Sequence, residues 1–170
     1  MATALVLPGP DNACSATANK LALLISIHHQ YAEAILAGSK TVEIRRRRPR
    51  LAAGTECWIY VPRPVAFVVG SFTVGSITSF SAEDFGTLRR AAADPDIADI
   101  RRYLSGLSHG WAIETVSPSR LRHPVALTAR PPQMYRYLRP LTDAHDRVLL
   151  SKLEAATSTT GAELSAAASS

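Results

Sequence analysis

Cysteine is almost missing from this sequence: Cys14 and Cys57 are the two present, which excludes a disulfide framework and a cysteine-based zinc site. Cys57 stands in an apolar run, where a core thiol is expected rather than a nucleophile. Long hydrophobic runs are missing too. The longest, Leu21 to Ile27 and Val65 to Val69, fall far short of the roughly 20 residues that cross a bilayer, so no membrane partner is expected. Met1 to Asn19 has neither the charged start nor the apolar centre of a secretory signal, and a cytoplasmic location is expected.

What is present fits a folded domain. Hydrophobic residues make up 46% and charged residues 19% of the 170, enough apolar side chain for one core and too little length for two comfortable domains. Lys and Arg outnumber Asp and Glu by 19 to 14, giving a net charge of +5 and a pI near 9.6, a balance that favours polyanionic partners. The expected division is a flexible leader over 1–20, a domain over 21–140, a helical extension over 141–156 and a disordered tail over 157–170. That tail is Ala, Ser and Thr with almost nothing large enough to offset its ordering entropy.

Leu21 to Ile27 reads as a buried strand, and Tyr31, Ala32, Ala34, Ile35 and Leu36 follow at helical spacing until Gly38 stops the helix. From Thr41 the pattern alternates. Val42 and Ile44 point to one face; Thr41, Glu43, Arg45 and Arg47 point to the other. Glu56 to Val61 predicts a third strand, with Cys57, Ile59 and Val61 on one side and Trp58 and Tyr60 on the other. Val65 to Phe80 predicts a β-rich stretch bent at Gly70 and Gly75. Ser81 with Asp84 three residues on predicts a capped helix running toward Ala93, and a second helix spans Ile97 to Leu104. Strands are expected at Trp111 to Val116 and Val125 to Leu127, a turn at Tyr135 to Leu138, and helix at Ala144 to Ala156. The order predicts an α+β domain with a curled mixed sheet.

Within Leu24 to Arg46 the residues Gly38, Lys40, Glu43 and Arg45 form a G-x-K-x-x-E-x-R pattern after a strand and helix. This stretch resembles the opening of ASCH domains, which belong with the PUA and EVE groups of RNA- and modified-base-binding barrels. Val69-Gly70, Phe72, Val74, Trp111-Ala112-Ile113 and Pro124 are similar to later elements of that family. The resemblance implies a PUA-like small β-barrel with short flanking helices and a cleft beside the second strand. It implies as partner RNA, or a modified nucleotide or nucleoside, with duplex DNA less favoured. No helix-turn-helix is visible for reading a major groove.

In that cleft Lys40 is expected to reach over the mouth toward a phosphate or base carbonyl, with Glu43 pairing Arg45 or accepting a proton or a base edge. Arg47 faces with them, while Arg46, Arg48 and Arg50 attract phosphates without sequence preference. Trp58, Tyr60 and Arg63 form a second candidate surface for stacking unpaired bases, although core packing suits Trp58 better, and Tyr31, which could project toward the cleft, sits at a helical spacing that favours the core. The adjacent His28 and His29 point apart on a strand end, and neither metal nor cofactor is expected.

Whether the chain is an enzyme stays open at this point. Some ASCH-like proteins are N-acetylcytidine amidohydrolases that use a lysine at the place of Lys40 and a threonine where this chain has Glu43, with an acidic residue for which Asp94 and Asp96 are candidates. Others are ribonucleases. Lys40 and Glu43 are the catalytic candidates in either case; as a binding module the chain would engage its ligand through Lys40, Glu43, Arg45, Arg47, Tyr60 and Arg63.

Overall fold

The computed structural model describes residues 20–81, 83–88, 90–92 and 97–157. The proposed leader with Cys14, the acidic candidates Asp94 and Asp96, and the tail beyond 157 lie outside the described residues.

Strand β1 (Ala22–Ser26) leads into helix α1 (His29–Leu36), and then come β2 (Val42–Arg45), β3 (Glu56–Val61) and β4 (Phe67–Phe80). Helix α2 (Ile97–Tyr103), β5 (Gly110–Ala126), β6 (Tyr135–Leu138) and α3 (Ala144–Thr157) complete the order. The six strands form one sheet in the order β2-β5-β4-β3-β1-β6, with β1 and β3 parallel and every other pair antiparallel.

The central strands are apolar on both sides because both sides are covered. Leu23, Ile25, Cys57, Ile59 and Val61 pack with α1 through Ala32 and Ile35. On the opposite face Leu24, Trp58 and Tyr60 pack with Leu150 and Leu153 of α3. A third cluster closes the β2 end, where Ile44, Phe80 and Ala112 meet Phe85, Ala92, Ile100 and Leu104.

Curvature comes from irregularities in the long strands. The β4–β5 register shifts between Val68 and Gly70, between Ser71 and Thr73, and between Val74 and Ile77. Each shift raises local twist and bends the ribbon. A side chain at Gly70 would place its Cβ 2.6 Å from the Ser119 carbonyl oxygen and 2.5 Å from Leu36 Cδ2, so glycine lets α1 lie directly on the bend.

Three elements differ from the sequence reading. Tyr135–Leu138 is strand β6, not a turn: Tyr135 and Tyr137 pack against the α1-side core while Leu138 joins the α3 side, an alternation masked by the prolines before it. Val125 to Leu127 is not a separate strand, since Val125 belongs to β5, which continues through Pro118 and Pro124. Both prolines lie beyond Trp111–Glu114, the stretch paired with β2, where a missing N–H breaks no ladder to that neighbour. The helix opened by Ser81 is one short 3₁₀ turn, Asp84–Thr87, in which Ser81 Oγ accepts from the Asp84 N–H. Gly86 inside it lowers the propensity to continue.

Candidate functional site

Helix α1 stops where Gly38 takes φ +77, and the Lys40 N–H returns to the Ala34 carbonyl. This tight exit sends the Lys40 side chain inward. The sequence reading put its ammonium over the cleft mouth; the structure puts it in the cleft wall, 3% exposed. There Nζ donates to the Val42 carbonyl at 2.6 Å and the Ala92 carbonyl at 3.4 Å, lies 3.4 Å from Glu43 Oε2, and sits 5.2 Å from the centre of the Tyr31 ring. Burial pulls the Lys40 ammonium below the ordinary lysine range, and the Glu43 carboxylate opposes that pull.

Glu43 and Arg45 share one face of β2, as the alternation predicts, but that face is buried. Arg45 Nη2 donates to Glu43 Oε1 at 2.8 Å and to the Ser26 carbonyl at 2.7 Å. The second bond spans from one edge of the sheet to β1 near the other, so the curl folds β2 back toward β1. The Arg45 Nε–H is buried and has no hydrogen-bond partner. Desolvating a donor without replacing its bond is costly, so the ion pair and the Ser26 bond made by the same guanidinium must offset that cost.

These groups line a cleft of about 790 Å³ together with Ser26, Tyr31, Arg46 and Tyr103. At its rim Arg46 donates to the Tyr103 and Ser105 carbonyls, and Asp99 pairs with Arg102 on α2. Burial, the largest influence, raises the Tyr103 phenol above its usual range.

The structure brings together Lys40, Glu43 and Arg45 and leaves the other candidates outside. Arg47 is exposed and absent from the cleft lining. Tyr60 is buried under α3 in the opposite core. Arg63 is exposed beside a hollow that it shares with His28, His29 and Tyr31, adjoining the cleft at His28, Tyr31 and Pro62. Trp58 belongs to the core, and Tyr31 serves both core and cleft. Sequence reasoning missed Ser26, Tyr103, Gln133 and Met134, which arrive from distant segments without a local signal. It also missed an aromatic platform on β5, where the Arg48 guanidinium lies 5.1 Å from the centre of the Trp111 ring and His109 meets that ring edge-on.

A family model described as ASCH domain matches residues 25–117, more than half of the chain. The chain belongs to the ASCH domain family. Over 47 residues it is 49% identical to a curated Zymomonas mobilis protein named ASCH domain-containing ribonuclease, a stretch that is 28% of this chain and 32% of that relative. The match therefore spans about a third of the relative's length. Among solved structures, the crystal structure of ASCH from Zymomonas mobilis is similar with a TM-score of 0.66 and 29% identity, covering 76% of this chain and 93% of that one. A serine-to-alanine variant of the Zymomonas mobilis protein gives a TM-score of 0.66 at 27% identity, covering 77% and 94%. The curled mixed sheet with short flanking helices is thus the PUA-like α+β fold of ASCH structures. Among the described residues no helix is long and apolar enough to cross a membrane.

Proposed function

We propose that this ASCH domain binds single-stranded RNA, taking one nucleotide into the cleft lined by Lys40, Glu43 and Arg45 while the arginines outside hold the flanking chain. One observation carries the reading: Lys40 and Arg45, two cations set against the single carboxylate of Glu43, line an open cleft of nucleotide size. The net charge of +5 supports a polyanionic ligand, and the RNA-directed name of the Zymomonas mobilis relative points the same way. Arg48 on Trp111 supplies the pairing of guanidinium and aromatic ring that suits unpaired bases.

A second reading, cleavage of the bound RNA, is favoured by that relative's name. In it Lys40 and Arg45 stabilise the charge that develops on a pentacovalent phosphate, and Glu43 is the candidate proton acceptor. The N-acetylcytidine amidohydrolase reading has less support. Glu43 fills the threonine's place with a carboxylate held between Lys40 and Arg45, and offers no hydroxyl nucleophile.

Purified protein incubated with single-stranded RNA, duplex DNA and N-acetylated cytidine, with retention and product both followed, tests these readings. RNA retained without product supports the binding module. RNA cleaved by wild type and spared by a folded Lys40→Ala supports the nuclease. Folded protein that neither retains nor cleaves RNA defeats both.

A further inference from the structure

Beside the cleft lies a second hollow, of about 570 Å³, walled by His29, Arg63 and Pro64 together with three residues that it shares with the cleft, His28, Tyr31 and Pro62. The two spaces meet along those shared residues. Tyr31 is a fixed part of the boundary, because the α1-side core packs against it and the Lys40 ammonium lies 5.2 Å from the centre of its ring. Pro62 and Pro64 restrict the backbone on either side of Arg63 and so limit where its side chain can reach.

The hollow differs in chemistry from the cleft. In the cleft wall the Glu43 carboxylate stands between Lys40 and Arg45. Among the described residues no aspartate or glutamate lines the hollow, and the exposed Arg63 has no carboxylate partner. The His28 and His29 rings beside it are exposed as well. A guanidinium without an internal partner suits phosphate oxygens, and imidazole faces suit an unpaired base. The volume is that of a small-ligand site. A strand with one nucleotide in the cleft needs a place for the next, and this adjoining space offers both a free cation and ring faces. We infer that the hollow is a second nucleotide subsite, in which Arg63 meets the phosphodiester linking two successive nucleotides and the histidine rings meet the second base. The inference rests on the RNA reading above and makes it more specific: the unit recognised is a dinucleotide.

The test holds the linkage constant and removes one base at a time. The four homodinucleoside monophosphates, and for each the two analogues in which one nucleoside or the other is replaced by abasic ribose, are titrated calorimetrically into the full chain, with intact ligand verified afterwards. Each analogue fills one base position and leaves the other empty, whichever strand direction the site takes. For the preferred base the dinucleotide is expected to bind roughly tenfold tighter than both analogues, as stacking of one further base would give. Arg63→Ala, at an exposed position, is expected to keep the wild-type melting temperature and to weaken the dinucleotide by roughly fivefold, through loss of a charge-assisted phosphate contact. The wild-type series decides the matter even where the variant does not fold. An analogue that binds wild type as tightly as the dinucleotide overturns the inference, as does a folded Arg63→Ala that binds the dinucleotide as wild type does. If longer single-stranded RNA binds while the dinucleotide has no advantage over its analogues, this inference alone falls. If no RNA of any length binds, the RNA reading falls with it.

Discussion

Arg45, on the edge strand β2, donates to the carbonyl of Ser26 on β1, 2.7 Å away, although three strands separate β2 from β1 in the sheet. The bond closes the curl over the cleft and leaves Glu43 held between Lys40 and Arg45. The same residue thus ties the fold together and lines the cleft.

Arg45 and Arg47 are therefore expected to behave as opposites, though both sit in one run of four arginines. Arg45→Met removes a buried partner of Glu43 and should destabilise the fold by about 3 kcal/mol, the usual cost of breaking a buried ion pair from one side. Arg47 is exposed, and Arg47→Met should leave stability unchanged. Urea denaturation midpoints of the two variants check this; equal shifts would mean that the Arg45 network contributes nothing to the fold.

How far the site was legible follows from where its residues lie in the chain. Gly38, Lys40, Glu43 and Arg45 are within eight residues of one another, so helix stop and strand alternation alone put Glu43 and Arg45 on one face. Alternation says which residues share a face and not what covers it. The alternation predicts Glu43 and Arg45 on the outward face, yet both are buried, because the curl brings Ser26 against Arg45 and the segment carrying Ala92 closes on Lys40. Tyr60 lies opposite Cys57 and Ile59 on β3, as alternation predicts, but Leu150 and Leu153 of α3 cover that side. Tyr103 and Met134 reach the cleft from segments far along the chain, which no local pattern could reveal.

Lys40 gives the fold a pH dependence of determinate sign. Burial lowers its pKa in the folded chain from 10.5, while the unfolded chain keeps the ordinary value. Between the two values the unfolded state binds more protons, so this residue makes stability rise with pH across that window. Lys40→Met should flatten the rise. The quantity to measure is the difference in urea midpoint between wild type and variant over a series of pH values below the ordinary lysine value. A difference that does not vary with pH would mean that Lys40 titrates as an exposed lysine does.

Gly70 and Gly75 both sit at bends of β4, and alanine should be tolerated unequally. A Cβ at Gly70 falls 2.6 Å from a backbone oxygen, that of Ser119, whereas at Gly75 the contacts are the side chains of Glu114 and Val116. Side chains can move aside; a paired strand backbone cannot without disturbing the ladder. Gly70→Ala is expected to cost about 1–3 kcal/mol, the range of overpacking, and Gly75→Ala clearly less. Thermal melts of the two variants under identical conditions decide the order, and a Gly75→Ala protein that melts lower than Gly70→Ala would reverse the argument.

Arg48 tests the part of the RNA reading that lies outside the cleft. Its guanidinium is exposed and stacked on Trp111, on a strand next to β2, so it is held in place without a carboxylate partner among the described residues. A fixed cation of this kind contacts phosphate and releases one counterion on binding. Removing it should weaken binding to single-stranded RNA of every sequence to a similar degree, and should reduce the slope of log affinity against log salt by about 0.7, the single-strand value for one phosphate contact. Fluorescence anisotropy of labelled single-stranded RNA with wild type and Arg48→Ala, repeated over a series of potassium chloride concentrations, measures both quantities. An unchanged slope would take Arg48 off the path of the RNA and leave its stacking on Trp111 as a purely structural contact.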